Sequence, residues 1–321
     1  MQPARTYLQI VGGFCILNAL IPICSSYLRA FGFSKEPLYA SIIGNVINFC
    51  LNAFFLFVLH KGVAGVATAT VISRIINLVI VVLLGAVLVK AKQHPERESN
   101  RAVMGQIIRI GLPSACETAI YNVSMTLVIR FLNQMDAQGL NVTARSYTMQ
   151  ITNFSYCVGA ALAQANAIMT GWHIGAKEYD ACDRGTKKAA VIGVIVAVIL
   201  ETMFALCSGW IMQLFSKDPQ MVSLVGKLLA IDIVLEMGRV TNLVYGQALK
   251  TSGDAVFPVV MGACFMILCS VGGTYLFGIR LGLLAVGAYI GMTGDECVRA
   301  VGMYLRWKSG KWKEKGLVKS R

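Results

Sequence analysis

Nine apolar stretches, each about as long as a bilayer-crossing helix, constrain this chain more than any other feature of its sequence. Roughly 20 residues of α-helix cross the hydrocarbon core of a membrane. The stretches are 7–27, 37–59, 63–89, 103–135, 141–170, 188–209, 222–249, 256–279 and 281–307. The longer ones would have to tilt or extend past the bilayer surface. The sequence therefore predicts an all-α polytopic membrane protein with about nine transmembrane helices.

The composition supports a lipid environment. Hydrophobic residues make up 56% of the 321 residues, and charged residues make up only 14%. Soluble domains average about 25% charged residues. A soluble fold of this chain would leave far too much apolar surface in water, so we expect the lipid bilayer to be its main partner.

The net charge of +13 could indicate nucleic-acid binding, but the positions of the basic residues argue against it. They gather in alternate loops, as expected for the short cytoplasmic loops of membrane proteins. The opposite loops hold few basic residues, namely Arg5, Lys61, Lys217 and Arg280. We therefore expect no nucleic-acid partner, a multi-pass protein of the plasma membrane, a cytoplasmic C terminus and an outside N terminus.

Two segments of the chain repeat the same order of a cation, a glycine and a proline without a gap. The matching residues are Arg29, Gly32 and Pro37 in the first segment and Lys250, Gly253 and Pro258 in the second. Both copies would enter the membrane from the cytoplasmic side, so the repeat is parallel. Two repeated halves around a central site are typical of secondary transporters.

The predicted spans and the basic segments divide the chain into four parts. Residues 1–90 hold three predicted spans, 91–102 form a basic cytoplasmic linker, 103–307 hold six spans, and 308–321 form a basic cytoplasmic tail. If the two halves were equal, three spans of the first half would be absent.

Several short segments make the chain resemble the MATE (multidrug and toxic compound extrusion) transporters. They are residues 29–37 with 62–67, the run Ile110-Gly-Leu-Pro-Ser114 with Glu117, residues 159–167 leading to 171–176, and residues 247–254 with Pro258. Their order, spacing and duplication carry the resemblance, which covers essentially the whole chain.

The resemblance implies a two-lobe bundle of twelve helices, of which this chain would run from the fourth to the twelfth. The N-lobe in 1–90 would lack its first three helices, and the C-lobe in 103–307 would be complete. The implied activity is antiport, in which H+ or Na+ moves in and a drug or small organic cation moves out. No cofactor is expected apart from the coupling ion. A lipid-linked oligosaccharide flippase of the same superfamily and an inactive fragment are the alternatives.

Ionisable side chains inside the spans indicate where function lies, because such groups rarely face lipid. Glu117 follows Pro113 by one helical turn, with Tyr121 continuing near its face and Asn122 beside it. We predict that Glu117 binds an ion or substrate in a cavity, which agrees with the acid that other MATE proteins carry on this helix. A hydrogen bond to a neighbouring helix is the alternative.

The seventh span carries a second set of polar residues along roughly one stripe of a helix. They are Asp232, Glu236, Arg239 and Asn242. Glu236 and Arg239 are close enough to pair at this spacing, and a carboxylate that alternates between an arginine and H+ or Na+ could couple transport. A structural ion pair is the alternative.

Two further sets of polar residues are candidates for lining the substrate cavity. Arg145, Tyr147, Gln150 and Gln164 lie in the fifth span, on more than one face. Asn45 and Asn48 lie in the second span and could instead hold helices together. Glu201 stands alone in the sixth span, where helix packing and function are equally open.

The sequence shows no pattern typical of an enzyme. It contains neither HExxH nor GxSxG, and the segment 171–177 lacks the spacing and hydroxyl residue of a phosphate-binding loop. The ten cysteines are scattered without a CxxC pair, so we assign no metal to them. We predict a transporter and not an enzyme.

Overall fold

The computed structural model describes residues 2–90, 100–136 and 138–315, which are almost entirely helical. The α-helices are α1 (Gln2–Gly13), α2 (Leu17–Ala30), α3 (Lys35–Ala53), α4 (Gly62–Lys90), α5 (Asn100–Met135), α6 (Leu140–Gly175), α7 (Tyr179–Leu206), α8 (Ser208–Gln213), α9 (Pro219–Thr251), α10 (Val256–Phe265) and α11 (Leu284–Lys308). A π-helix, Phe54–Val58, extends α3, and two more, Met266–Val271 and Thr274–Arg280, extend α10. A short 3₁₀-helix, Lys311–Lys315, follows α11. The prediction of an all-α fold is confirmed for these residues.

Each of the nine predicted spans falls on one long helix or on two or three consecutive helical segments. By length and apolar composition, four described helices could cross a membrane, namely Lys35–Val58, Gly62–Val89, Tyr179–Leu206 and Val256–Arg280. The helices Arg5–Gly13 and Leu17–Ala30, bent by 41°, make a fifth if they form one span.

The other four predicted spans lie on α5, α6, α9 and α11, which are 36, 36, 33 and 25 residues long. These helices are long enough to cross a bilayer, but they are too polar to qualify by composition. Several of their ionisable residues line the cavity described below, which explains why these helices are more polar than the others.

The chain divides into two compact units, residues 1–97 and 98–321. The division lies within the segment predicted as a basic linker, 91–102, of which residues 91–99 are outside the described part of the chain. The predicted assignment of the two parts to an N-lobe and a C-lobe stays a prediction.

In the first unit, α1, α2 and α3 pack against α4. Leu28, Ala40, Val81 and Val89 form its buried core. The side-chain amide of Asn48 donates a hydrogen bond to Ser73 Oγ at 3.1 Å, which joins α3 to α4. This asparagine therefore holds two helices together.

In the second unit, α9 is the central helix and packs against α6, α7 and α11. Val240 on α9 is fully buried. A Cβ atom added at Gly159 on α6 or at Gly193 on α7 would lie 2.7 Å from a Val240 methyl group. Small residues at these two positions therefore let α6 and α7 approach α9 closely.

The closest backbone approach in the second unit is between α11 and the π-helical extension of α10. A Cβ atom at Gly291 would lie 2.9 Å from the carbonyl oxygen of Cys269, and one at Gly287 would overlap the backbone of Phe277 and Gly278. The pair Gly287 and Gly291 forms a GxxxG sequence, which favours close helix packing in membranes. The structure shows that packing directly.

We predict that Gly287→Ala lowers the thermal stability of the detergent-solubilised protein, because the added methyl group has only backbone to displace. Overpacking of this kind costs about 1–3 kcal/mol. The matched control is Gly294→Ala on the same helix, where a Cβ atom would meet nothing within 4 Å. The control should retain or slightly raise the melting temperature, since alanine favours helix. Equal melting temperatures for the two variants would contradict the packing described.

The end of α11 folds back onto the turn between α9 and α10. Asp254 in that turn accepts hydrogen bonds from Arg306 Nε at 2.6 Å and Lys315 Nζ at 2.7 Å. The Trp312 ring stacks on the Trp307 ring with centroids 4.1 Å apart. Burial by itself raises the pKa of Asp254, but the hydrogen bonds and charges of Arg306 and Lys315 outweigh it, so the pKa lies below its ordinary value. The ionised carboxylate therefore stabilises this end of the unit.

Asp254→Asn should lower the melting temperature at neutral pH, because the isosteric amide cannot neutralise Arg306 and Lys315. A carboxylate whose pKa is lowered on folding contributes stability above its unfolded pKa of about 3.9, and that contribution is lost as the pH falls. The difference in melting temperature between wild type and variant should therefore shrink below about pH 4. Glu314→Gln, an exposed change in the same segment, is the control and should have no effect. A difference that persists at low pH would contradict this account.

Candidate functional site

A cavity of about 470 Å³ lies in the second unit. Its wall comes from α5, α6, α9, α11 and the π-helical extension of α10. Six residues predicted from the sequence line it: Glu117, Tyr121, Arg145, Asp232, Arg239 and Asn242. The spacing argument for α9 and α5 therefore identified groups that do face a common space.

Glu117 on α5 forms an ion pair across the cavity wall with a residue that the sequence analysis left out of the site. Its Oε2 lies 2.6 Å from Lys250 Nζ on α9. Gly262 on α10 makes room for the carboxylate, since a Cβ atom there would lie 3.3 Å from Glu117 Oε1. The pair joins α5 to α9 where both line the cavity.

Arg239 is shared by two carboxylates on different helices. Its NH1 atom lies 2.7 Å from Glu236 Oε2 on its own helix, and its Nε atom lies 3.5 Å from Glu296 Oε1 on α11. Glu236 is completely buried, and its second oxygen has no hydrogen-bond partner in the described structure. Gly238 allows this approach, because a Cβ atom there would lie 2.9 Å from the backbone carbonyl carbon of Glu296.

Glu296 connects Arg239 to a second arginine, Arg299 on α11. Arg299 NH2 lies 3.0 Å from Glu296 Oε2, and Arg299 Nε lies 2.8 Å from Asp295 Oδ1. The side-chain amide of Asn242 also donates to Glu296 Oε2 at 3.0 Å. Glu236, Arg239, Glu296, Arg299 and Asp295 thus form one continuous charged network, which we call the α9–α11 network.

The π-helical extension of α10 contributes to this network through Ser270. Its Oγ donates a hydrogen bond to Asp295 Oδ2 at 2.9 Å, and both residues are buried. A π-helical segment often marks a functional site, because the extra residue changes which side chains face inward. Here it places a hydroxyl against a buried carboxylate.

Two opposite charges on the cavity wall take no part in any ion pair among the described residues. Arg145 on α6 makes one side-chain hydrogen bond, from NH2 to Met125 Sδ at 3.6 Å, and its Nε has no partner. Asp232 on α9 is buried, and its Oδ2 has no partner. Asp232 is therefore shielded from solvent.

Glu201 on α7 is a buried acid that does not line the cavity. Both of its carboxylate oxygens lack a hydrogen-bond partner within the described residues. Glu201 takes no part in the ion pairs of the α9–α11 network among the described residues.

The remaining predicted residues lie elsewhere. Asn122 is exposed and donates to the carbonyl oxygen of Thr118 on its own helix. Tyr147 packs its ring against Phe215, with centroids 5.5 Å apart. Gln150 and Gln164 are exposed. The structure does not place these four side chains on the cavity wall.

Asn45 and Asn48 belong to the first unit. Asn45 is exposed, and Asn48 bonds to Ser73 as described above. The 470 Å³ cavity is lined, within the described part of the chain, only by residues of the second unit. A cavity role for these two asparagines therefore stays a prediction.

The sequence analysis missed the ionisable residues of α11. Asp295, Glu296 and Arg299 lie inside the ninth predicted span with the same kind of spacing that singled out α9. Their spacing could therefore have identified them as candidate site residues. The sequence places Lys250 only in the cytoplasmic turn. Its pairing with Glu117 joins positions 133 residues apart, which no local pattern reveals.

Among the residues described, no group of three or more His, Cys, Asp or Glu is arranged to hold a metal ion.

Comparison with known proteins places these features in context. Residues 113–276 match the family model MatE. The uncharacterized transporter YisQ of Bacillus subtilis is 33% identical over 99% of this chain and 71% of its own length. The probable multidrug resistance protein NorM of Thermotoga maritima is 21% identical over 98% of this chain and 68% of its own length.

Solved structures resemble the fold closely despite low sequence identity. The crystal structure of MATE in the straight conformation superposes with a TM-score of 0.84 at 18% identity, over 96% of this chain and 70% of that chain. An outward-facing multidrug resistance MATE family transporter gives 0.83 at 18% identity, over 97% and 71%. The likeness therefore extends along nearly all of this chain and most of each relative.

Proposed function

The chain belongs to the MatE family of transporters, which are integral membrane proteins and not enzymes, and from that premise we propose that it is a cation-coupled antiporter of drugs or organic cations. In this proposal, H+ or Na+ moves inward while the organic cation moves outward. The observation that carries it is the sharing of Arg239 between Glu236 and Glu296 at the cavity wall.

Two carboxylates that compete for one guanidinium can act as a switch. When Glu236 binds H+ or Na+, its attraction for Arg239 falls, and Arg239 is free to pair more closely with Glu296. When the ion leaves, Arg239 returns to Glu236. A residue pair of this kind provides two local states whose balance a bound ion shifts.

The substrate can reach the same network through Glu117. An organic cation that enters the cavity competes with Lys250 for the Glu117 carboxylate, since Lys250 is the only cation paired with it among the described residues. A lysine ammonium is a compact charge on a flexible stem, so it can be displaced without rearranging a helix. Displacement would link substrate binding on α5 to the position of α9.

Antiport requires that the substrate and the coupling ion disfavour each other's binding. Such coupling is reciprocal, so each ligand must lower the affinity of the other by the same factor. In this proposal the ion acts at Glu236 and the substrate at Glu117. Both carboxylates pair with cations of α9, Arg239 and Lys250, and through this helix each ligand can lower the affinity of the other.

A lipid-linked oligosaccharide flippase is less well supported. A flippase would favour a wide, strongly cationic cavity. The cavity here measures about 470 Å³, and its wall carries as many carboxylates as cations. The relatives whose printed names include multidrug resistance or multidrug and toxin extrusion support efflux instead. An inactive protein is the remaining alternative. Transport by the wild-type chain in the assay below would exclude it.

We also propose that the protein lies in the plasma membrane with its C terminus in the cytoplasm. The basic tail and the basic loops on the same side support this orientation through the excess of positive charge that cytoplasmic loops carry.

Neutralising Glu236 or Glu117 to Gln should reduce gradient-driven transport of a fluorescent organic cation at least tenfold, because the first change removes the carboxylate proposed for the coupling ion and the second removes the one proposed for the substrate. The assay is uptake into proteoliposomes driven by an imposed H+ or Na+ gradient. Glu178→Gln is the matched control, because Glu178 is exposed and pairs only with His173. It should transport at the wild-type rate.

The melting temperature of each variant is measured alongside, to show that it is folded. Wild-type transport in both variants would remove Glu236 and Glu117 from the site. Absence of transport by the wild-type chain under either gradient would contradict the proposed function itself.

A further inference from the structure

Two charged side chains on the cavity wall have no ion-pair partner among the described residues. Three of its four cations, Arg239, Lys250 and Arg299, are in ion pairs with carboxylates. The fourth, Arg145, has no such partner in the described part of the chain. Asp232 is likewise the one carboxylate of the wall without an ion pair there. One positive and one negative group therefore face the cavity without partners.

Arg145 has the properties of an anion-binding group. Only 7% of the residue is exposed, and a thioether sulfur at 3.6 Å is a weak acceptor for a guanidinium. Arginine carries five N–H donors in a planar fork that matches a carboxylate. Leaving such donors buried without acceptors is costly, so an acidic group entering the cavity would gain strongly by bonding to Arg145.

Asp232 has the complementary properties. It is 2% exposed, and its unpartnered Oδ2 is sealed from solvent. A buried carboxylate that makes no ion pair is costly in its charged form, and a cationic N–H group from a ligand would stabilise it. Arg145 and Asp232 therefore favour opposite ends of one ligand.

The cavity wall that carries these two charges also has an apolar, adaptable part. Tyr289 on α11 lines the cavity together with Met125 and Met292. Methionine side chains are flexible and make favourable contacts with aromatic rings. This surface suits an aromatic body that separates the charges of a ligand.

We propose that the cavity selects zwitterionic organic substrates, binding their acidic group at Arg145 and their cationic group at Asp232. This proposal rests on the proposed transport function and specifies its substrate class. Glu117 then acts on entry, where the cationic group displaces Lys250, and Asp232 holds that group in the bound substrate. A simple cation would neutralise Asp232 but leave Arg145 without an acceptor. A simple anion would neutralise Arg145 and leave Asp232 without a donor. A ligand that carries both charges satisfies both groups.

Two xanthene dyes test this selectivity because they differ in a single group. Rhodamine 110 carries a delocalised cation and a free carboxylate, and its methyl ester, rhodamine 123, keeps the cation and lacks the anion. Fluorescence polarisation gives the Kd of each dye for the purified full chain, and proteoliposomes report transport of each.

The wild-type protein should bind rhodamine 110 more tightly than rhodamine 123. Arg145→Gln should weaken rhodamine 110 by about tenfold or more, as expected for the loss of a charge-assisted hydrogen bond, and should leave rhodamine 123 unchanged or tighter. Asp232→Asn should weaken both dyes. The control is Arg130→Gln, an exposed arginine on α5 away from the cavity, which should change neither Kd.

Arg145→Lys keeps the charge and loses the planar fork, so the preference for rhodamine 110 should fall part of the way. This variant also tests the proposal if Arg145→Gln proves unstable. Equal weakening of both dyes by the Arg145 variants, or no weakening, would overturn the proposal. Transport of rhodamine 123 by the wild type with no preference for rhodamine 110 would overturn it while leaving the proposed function intact.

Discussion

The pairing of charges inside helices long enough to cross a lipid bilayer is the constraint on which the second unit depends. An ionised side chain in hydrocarbon is costly unless it meets an opposite charge or a polar cavity. The α9–α11 network meets this requirement by alternating acids and arginines, so that Arg239 and Arg299 each contact Glu296. The helices that carry these residues are too polar to qualify as spans by composition, yet they pack around the same space. The charges therefore determine which faces of α5, α6, α9 and α11 turn inward.

Close backbone packing makes this arrangement possible. Charged groups on two helices can pair only where the helix backbones approach, and Gly238 lets α9 approach α11 beside Glu296. Gly287 and Gly291 perform the same role between α11 and the π-helical extension of α10, which in turn brings Ser270 to Asp295. Glycine at these positions thus serves packing and chemistry together. A methyl group at any of them would separate partners that need to stay within hydrogen-bond distance.

The sequence predicted the positions of the long helices well, because the pattern that marks a membrane-length helix is local and about 20 residues long. It predicted Asp232, Arg239 and Asn242 for a similar reason, since helical spacing alone places them on one side of α9. The sequence failed to predict which side chains line the cavity where this depends on the packing of neighbouring helices. Asn122, Gln150 and Gln164 are polar like the cavity residues, but they carry no charge that must be paired, so their polarity alone does not show which helix face turns inward. The pairing of Glu117 with Lys250 depends on the tertiary fold and cannot be predicted from a local pattern. Glu296 and Arg299 could have been predicted, because their spacing resembles that of the charged residues on α9.

The central claim is that binding of the coupling ion at Glu236 weakens binding of the organic cation in the cavity, because Arg239 links Glu236 to the cavity wall. It is tested most directly by measuring the Kd of a fluorescent organic cation for the purified protein while the pH is lowered, and separately while Na+ replaces an inert cation at constant ionic strength. The account predicts that the Kd rises with one of these ions and that the increase disappears in Glu236→Gln. A Kd that is unaffected by both ions in the wild-type protein would contradict it.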